Sequence, residues 1–160
     1  MNHFIAYSFS PEQTRQMGLQ LGRKLTKGSI LALSGDLGSG KTIFTQGIAE
    51  GLGFNPNTIQ SPTFSLIQEH SGPMPLCHVD LYRLTYPEIL QLGLEEYLES
   101  KKWIVIVEWA DKAIPLFSTE TLHVEFEGTA MEKRNIVFSA SIHWIKMMKS
   151  FSFIKPWKKF

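Results

Sequence analysis

From Gly35 to Thr42 the chain reads GDLGSGKT, which satisfies the pattern GxxxxGK[ST] at every position. The residues before it, Ser29 to Ser34, form a short apolar run typical of a buried strand. The residues after it, Thr42 to Leu52, have the pattern of a helix that Gly53 closes. A strand, a glycine-rich loop and a helix in this order favour a phosphate-binding loop over a plain glycine-rich turn.

This loop contains the residue types that phosphate binding requires. Glycines let backbone N–H groups curl around phosphate oxygens, and the helix that follows adds the positive end of its dipole. The lysine at Lys41 neutralises the β and γ phosphates, so it is also predicted to be catalytic, and the Thr42 hydroxyl is offered to Mg²⁺. The residues expected to contact a nucleoside triphosphate and its Mg²⁺ are Gly38, Ser39, Gly40, Lys41, Thr42 and Ile43.

Such a loop also needs an acid at the end of a neighbouring strand, to hold Mg²⁺ directly or through water. Glu108 ends the apolar run Ile104 to Val107 and is the first choice as metal partner and catalytic residue. Asp80 is the second choice, because it shares one face of an alternating segment with His78 and could position water or support the metal. The alternatives are an exposed strand-end carboxylate at Glu108 and, for Asp80, a surface acid paired with Arg83.

The rest of the chain alternates strand-like and helical patterns. Ser10, Pro11 and Gln13 form an N-cap, a proline at the first helical position and a capping-box partner, so a helix should begin at Pro11 and end at Gly28. A second helical pattern runs from Pro87 to Leu98. Beyond the strand before the loop, strands are predicted at His3 to Phe9, Thr63 to Gln68, Leu76 to Tyr82, Ile104 to Val107, Thr121 to Phe126 and Arg134 to Ala140. Two antiparallel hairpins are expected among them, and the patterns together predict an α/β protein with a P-loop NTPase-like three-layer fold around a mixed, largely parallel central sheet.

Composition places the chain among soluble cytoplasmic proteins. Its 160 residues fit one domain, and a formal net charge of +1 argues against a protein that coats a polyanion along its whole surface. Cys77 is the only cysteine, so no intrachain disulfide can form, and with His78 it lacks the further ligands of a zinc site. The sequence shows no charged leader, and its longest apolar stretch, Trp103 to Val107, is far too short for a transmembrane segment.

The end of the chain differs from the rest. We divide the sequence into a P-loop nucleotide-binding domain at 1–143 and a C-terminal tail at 144–160, in which lysines alternate with aromatic residues and no acid occurs. Lysines attract phosphate, and tryptophan or phenylalanine can stack or insert, so one interpretation is a patch that contacts tRNA or a membrane surface. The other interpretation is a poorly ordered basic terminus.

Several functions remain open at the level of single motifs. No NKxD-like guanine-reading sequence occurs, so adenine is the better guess for the base. A stand-alone P-loop small-molecule kinase is one candidate, although Arg83 and Arg134 are the only arginines after the loop and kinases surround the transferred phosphate with several cations. A nucleotide-gated binding module is another. Ser61 to Thr63 could sense the γ-phosphate as switch threonines do, or cap a strand.

Five short motifs in sequence resemble the bacterial TsaE (YjeE) family. They are GDLGSGKT at Gly35 to Thr42, SPTF at Ser61 to Phe64, HVDLYR at His78 to Arg83, GLEEYL at Gly93 to Leu98 and VEW at Val107 to Trp109. The resemblance implies an ATPase that binds ATP and Mg²⁺ in the tRNA N6-threonylcarbamoyladenosine modification machinery. It also implies TsaB and TsaD as partners, with tRNA reached indirectly through their complex and the carbamoyl transfer left to TsaD.

The same resemblance implies a role for each matching residue. Lys41 would be the phosphate lysine, Thr42 and Glu108 the Mg²⁺ partners, and Asp80 a residue needed for hydrolysis. The resemblance adds positions expected near the nucleotide, which are Thr63, Trp109, Arg134 and the segment Ser10 to Thr14 with Pro11. An ATPase of this kind is expected to be weak alone and stimulated by its partners.

Overall fold

The computed structural model describes residues 1–60, 66–128 and 133–158. The strands of these residues form one sheet, and they are β1 (Asn2–Ser8), β2 (Ile30–Gly35), β3 (Ile67–His70), β4 (Leu76–Asp80), β5 (Ile104–Glu108), β6 (Leu122–Glu127), β7 (Arg134–Ala140) and β8 (Lys155–Pro156). Their order across the sheet is β3-β4-β5-β2-β6-β7-β1-β8. Strands β4, β5, β2 and β6 are parallel, and the outer strands pair antiparallel. The predicted mixed sheet is confirmed, with its parallel pairs at the centre.

Helices cover both faces of the sheet and give three layers. They are α1 (Pro11–Gly22), α2 (Lys41–Gly51), α3 (Tyr86–Leu90), α4 (Leu94–Glu99) and α5 (Ile142–Lys149). Apolar residues of α1, α2 and α5 pack in one hydrophobic cluster with one face of the sheet, and those of α3, α4 and the 3₁₀ segment Ala110–Leu116 pack in a second cluster on the other face. None of the described helices is both long and apolar enough to cross a membrane. The predicted three-layer α/β fold is confirmed.

Helix α1 begins where the sequence predicts and ends earlier. The Ser10 hydroxyl accepts the Gln13 N–H at 3.1 Å, and the Gln13 side chain accepts the Phe9 N–H at 2.8 Å. The helix ends at Gly22 rather than running on to Gly28. Gly28 instead has a left-handed φ of 89° in the turn that leads into β2, where its N–H donates to the Trp103 carbonyl at 2.9 Å. The glycine therefore serves the strand entry, not the helix end.

The single helical pattern predicted from Pro87 to Leu98 is wrong. Thr85 caps α3 with a capping box to Glu88, and the chain then breaks before α4. Gly93 has a left-handed φ of 74° and stands as the N-cap of α4. A left-handed residue cannot continue a right-handed helix, so the leucine spacing is shared by two short helices rather than one.

Helices α1 and α2 approach each other through glycines. A Cβ added to Gly47 would lie 2.0 Å from the Arg15 carbonyl oxygen, and one added to Gly18 would lie 2.3 Å from the Phe44 carbonyl oxygen. Real Cβ atoms do not come so close to backbone, so these positions accept only glycine at the present helix separation. This contact holds α2, and with it the glycine-rich loop, against α1.

The segment that the sequence analysis sets apart as a tail, 144–160, packs on the domain through its described residues. Trp144, Met148 and Phe151 are buried in the same cluster as α1 and α2, and β8 pairs with β1. The boundary at 143 falls inside α5. The separate, poorly ordered terminus is therefore a wrong interpretation of residues 144–158, because their aromatic side chains supply core surface.

Candidate functional site

A cavity of about 400 Å³ opens where β2, β4 and β5 end. This is the carboxyl edge of the parallel strands, where open α/β sheets bind ligands. Its lining comes from the glycine-rich loop, the start of α2 and the strand ends: Leu37, Gly38, Ser39, Gly40, Lys41, Thr42, Ile43, Leu66, Asp80, Tyr82, Arg83, Glu108 and Trp109. All the loop residues expected to contact phosphate, from Gly38 to Ile43, lie on this cavity.

Two loop positions require glycine for different reasons. Gly38 has a left-handed φ of 74°, and a Cβ there would meet no atom within 4 Å, so the backbone conformation alone asks for glycine. Gly40 has a φ of 109°, and a Cβ there would also lie 2.4 Å from Nη1 of Arg134. The loop is thus held open on its cavity side and tightly packed on the side that faces Arg134.

Lys41 is the buried cation of the cavity, with only 4% of its surface exposed. Its ammonium donates to the carbonyl oxygens of Gly35 at 2.6 Å and Asp36 at 2.8 Å, and it lies 4.1 Å from the centre of the Trp109 ring. Burial lowers the pKa of Lys41, and the nearby carboxylates, Glu108 foremost, act in the opposite sense. These contacts fix the ammonium beneath the loop, where phosphate oxygens would meet it.

Glu108 is held from two sides. Its Oε1 accepts the Thr42 hydroxyl at 2.8 Å, and its Oε2 is hydrogen-bonded to Nε2 of His78. Glu108 is 1% exposed, so the alternative of an exposed strand-end carboxylate is wrong. A side chain from α2 and one from β4 thus converge on a carboxylate of β5 beside the cavity.

His78 contacts Glu108, and the sequence analysis did not assign this residue to the site. Its ring is fully buried, and Cys77, next to it in β4, lies in the hydrophobic cluster on the other face of the sheet. Burial raises the pKa of the Cys77 thiol to about 12, which keeps it protonated. The alternation in HVDLYR put His78 on the face of Asp80, but only the pairing of β4 with β5 shows that this face points at Glu108.

Asp80 ends β4 directly opposite Glu108 in the parallel register. One of its carboxylate oxygens accepts the Tyr82 N–H at 2.9 Å, which orients the group at the cavity wall. Asp80 is 6% exposed, so the alternative of a surface acid is wrong. The two predicted acids therefore lie side by side at one edge of the sheet.

The wall beyond the strand ends is aromatic. Trp109 adopts a left-handed backbone, φ 59° and ψ 37°, a conformation that costs a non-glycine residue about 1–2 kcal/mol. Its ring lies 4.7 Å from that of Tyr82 and covers the Lys41 ammonium. Trp109 therefore lines the cavity beside Lys41, and its contact with a nucleotide stays a prediction.

Two other predicted contacts, Arg134 and Pro11, do not line the cavity, and a third cannot be placed. Arg134 is fully buried behind the loop, where Nη1 donates to the Ser39 carbonyl at 3.3 Å, and burial lowers its pKa. Pro11 is exposed at the start of α1 and does not line the cavity. Thr63 lies outside the described residues, so its predicted role stays a prediction. Arg134 therefore supports the loop from behind rather than lining the cavity.

The sequence similarity of this chain to known proteins shows which family it belongs to. The model of the family described as "Threonylcarbamoyl adenosine biosynthesis protein TsaE" matches residues 8–136. The chain belongs to the TsaE family. This confirms the resemblance carried by the five motifs, and with it a place in tRNA threonylcarbamoyladenosine biosynthesis.

Relatives of the TsaE family cover most of the chain. The tRNA threonylcarbamoyladenosine biosynthesis protein TsaE of Bacillus subtilis is 38% identical over 82% of this chain and 82% of its own length. That of a Nostoc species is 47% identical over 63% of this chain and 64% of its own length. The crystal structure of YdiB from Bacillus subtilis superposes with a TM-score of 0.71 at 33% identity, covering 91% of this chain and 90% of that one. The P-loop fold is thus shared with a TsaE-like neighbour.

The match to the TsaE family model ends before the last helix of the chain. It includes the glycine-rich loop, His78, Asp80, Glu108 and the first residues of β7, and it ends before α5. The nucleotide-side cavity therefore lies inside the family pattern, whereas α5 and β8 lie outside it.

Proposed function

We propose that this chain binds ATP with Mg²⁺ in the cavity at the glycine-rich loop and hydrolyses the ATP, as the ATPase component of the tRNA threonylcarbamoyladenosine machinery. It would act in the cytoplasm with TsaB and TsaD, and reach tRNA through their complex. The observation that carries the proposal is the buried Glu108 carboxylate held between the Thr42 hydroxyl and His78. A phosphate-binding loop with such a carboxylate is the arrangement that nucleoside triphosphate hydrolysis uses.

The donor set at this point fits Mg²⁺. Hydroxyl and carboxylate oxygens are the hard ligands that Mg²⁺ prefers, and it is usually bound through one or two carboxylates together with substrate phosphates. Thr42 and Glu108 would hold the ion, with Asp80 beside them. When bound, Mg²⁺ would neutralise the negative charge that develops on the phosphate oxygens during the reaction.

The chain's own residues supply positioning and charge. Lys41 offers its ammonium to the phosphate oxygens in place of the loop carbonyls that accept its protons. Asp80, oriented by the Tyr82 N–H, accepts a hydrogen bond from the water that attacks the γ-phosphorus. Water adds to phosphorus, the bond to the β-phosphate oxygen breaks, and ADP and phosphate leave. The Trp109 ring covers the Lys41 ammonium and would shield it from water.

Partner stimulation follows from the placement of the arginines. An arginine that reaches the transferred phosphate is worth about 10³–10⁵ in turnover. Arg134 bonds the back of the loop, and Arg83, on the cavity wall, is exposed to solvent, so neither arginine is buried on the phosphate side of the loop. We therefore expect slow turnover by the chain alone and faster turnover once TsaB and TsaD complete or close the site.

The test is phosphate release by the purified chain, alone and with TsaB, TsaD and substrate tRNA. Lys41→Ala and Glu108→Ala serve as site variants, and Lys102→Ala, at an exposed lysine away from the cavity, as the matched control. Stimulation by the partners that both site variants lose, and the control keeps, supports the proposal. Turnover that is the same with and without partners contradicts it.

The same assay separates the two competing functions. A stand-alone kinase would transfer labelled γ-phosphate to a metabolite in the absence of partners. A nucleotide-gated binding module would bind ATP without releasing phosphate under any of these conditions. Phosphate release that Asp80→Ala abolishes would exclude the binding module.

A further inference from the structure

Charge is divided unevenly along the chain. Residues 133–160 contain seven of the sixteen lysines and arginines and none of the fifteen acids, a formal charge of +7. Residues 1–132 contain the other nine basic and all fifteen acidic side chains, a formal charge of −6, and the two parts sum to the +1 of the whole chain. Such asymmetry is typical of proteins that bind nucleic acid or an anionic surface through one region.

The fold separates the lysines of this segment from its aromatic residues. Lys146 and Lys149 are exposed on α5, while Trp144 and Met148 of the same helix are buried. Lys155 is exposed on the edge strand β8, and Lys158 is exposed two residues after the end of β8. We call Lys146, Lys149, Lys155 and Lys158 the basic surface. None of the four forms an ion pair with a described residue, so their charges are available to a partner.

Helix α1 adds to this surface at its carboxyl end. The ammonium of Lys24 donates to the Ser150 hydroxyl at 2.5 Å and lies 4.8 Å from the centre of the Phe151 ring. This contact joins the end of α1 to the end of α5 and brings a fifth lysine to the region. Glu120 also lies near the start of α5, where its carboxylate pairs with His143 and Lys101.

The buried aromatic residues favour an RNA backbone over a membrane. A peripheral membrane site needs exposed apolar side chains that insert beside its lysines. Trp144 and Phe151 are buried, Phe153 stacks on Phe151, and Trp157 packs edge-on against His3. Ile142 is exposed but isolated on the helix. What remains at the surface is positive charge with few apolar groups, which matches a chain of phosphates.

The basic surface lies away from the nucleotide cavity and leaves that cavity open. Strand β7 runs antiparallel to β6, so α5 follows at the amino ends of the parallel strands, opposite the edge that holds Lys41 and Glu108. The match to the TsaE family model ends at residue 136, before α5, so the family assignment does not itself account for the basic surface. The family belongs to a tRNA-modification process, which makes tRNA the polyanion at hand.

We propose that the basic surface of α5 and β8 binds the phosphate backbone of tRNA directly. This goes beyond the proposed ATPase function, in which tRNA is reached through TsaB and TsaD, and it does not depend on hydrolysis. Binding by such a surface is governed by the number of phosphates neutralised, so its affinity falls steeply with salt. Sequence discrimination is not expected, because lysine contacts to phosphate do not read bases.

The experiment measures the affinity of the full chain for a fluorescent tRNA transcript without nucleotide, at several salt concentrations. The test variant is Lys146→Gln/Lys149→Gln, and the control is Lys102→Gln, which removes charge at an exposed lysine just before β5 that forms no ion pair with a described residue. Each lost phosphate contact should reduce the slope of log affinity against log salt by about 0.7–0.9, so we expect a reduction of about 1.5 in the test variant alone. Lys146→Arg/Lys149→Arg should keep the slope of the native chain.

Three results would overturn the proposal. They are no tRNA binding at low salt, equal weakening in the test and control variants, and binding to phosphatidylglycerol vesicles that exceeds binding to tRNA. Thermal unfolding of each variant checks that the fold is kept. Because tRNA binding is measured without nucleotide and hydrolysis can be measured without tRNA, failure of one proposal is distinguishable from failure of the other.

Discussion

The nucleotide cavity and the C-terminal segment use charge in opposite ways. At the cavity, Lys41, Asp80 and Glu108 are buried, and each is bonded to particular atoms of the loop or strands. In the C-terminal segment Trp144 and Phe151 are buried, and the lysines of the basic surface face solvent. Buried, bonded charges act through geometry, whereas exposed charges act through their number. Single substitutions should therefore matter at the cavity, and the C-terminal segment should respond strongly only where an aromatic residue changes.

Trp144→Ala is expected to have the largest effect. The Trp144 ring is buried in the main hydrophobic cluster, and its Nε1 donates to the Glu120 carbonyl at 2.6 Å. Truncating a buried tryptophan typically costs about 3–5 kcal/mol of unfolding free energy. Urea denaturation measures the change, and Ile142→Ala, at an exposed position of the same helix, is the control. A loss below about 1 kcal/mol would show that the segment is not part of the core.

Lys41→Ala tests whether a single buried charge is decisive at the nucleotide cavity. Removing one pre-organised donor from developing charge typically lowers kcat by about 10²–10³, which is about 2.7–4 kcal/mol. We expect a loss of that size in phosphate release, with the far-ultraviolet circular dichroism of the folded chain retained. Lys102→Ala, at an exposed lysine, should leave the rate unchanged. Similar rates for the two variants would remove Lys41 from the mechanism.

His78 tests whether the site depends on positioning as well as on ligands. Removing a hydrogen-bond partner of a metal ligand typically costs about 10–100-fold in metal affinity or activity. We expect His78→Leu to raise the Mg²⁺ concentration needed for half-maximal hydrolysis by about tenfold or more. His78→Gln, which keeps a donor for Glu108, should restore most of it.

A purely structural role for His78 has a different signature. In that case His78→Leu would weaken nucleotide binding equally with Mg²⁺ and in EDTA, and His78→Gln would bring no recovery. Measuring both binding constants for both variants separates the two roles.

Of these substitutions, Lys146→Gln alone should change the free energy of unfolding the least. Lys146 is exposed and has no ion-pair partner among the described residues, and surface substitutions of this kind usually change stability by less than about 0.5 kcal/mol. The urea midpoint should match that of the native chain within error. A larger loss would show that the lysine stem packs on the core and would blur the contrast with Trp144.

The residues that line the cavity were easier to predict from the sequence than the residues that hold them in place. The glycine-rich loop and the acids at the ends of β4 and β5 follow from local patterns, since a motif and a strand end can be read one segment at a time. His78 could not be assigned this way, because its partner Glu108 is thirty residues away and only the β4–β5 register brings them together. The close contact of α1 and α2 through Gly18 and Gly47 was missed for the same reason.

The C-terminal segment is a different kind of error. Trp144, Met148 and Phe151 follow one another at helical spacing, which is the signal of an amphipathic helix with one buried face. Because lysines surround these residues, the segment was interpreted by its charge rather than by that spacing. The end of the helix at Gly22 and the break at Gly93 depend on tertiary contacts and left-handed glycines, which composition alone does not reveal.

Isothermal titration of ATP, with Mg²⁺ and in EDTA, tests the central claim most directly. The native chain should bind ATP more tightly with Mg²⁺. Glu108→Gln, which keeps the shape but not the charge, should lose most of that gain while binding ATP equally in EDTA, and Glu125→Gln, at an exposed position of β6, should behave as the native chain. Binding that ignores Mg²⁺, or a Mg²⁺ gain that survives Glu108→Gln, would contradict the assignment of this cavity as an ATP and Mg²⁺ site.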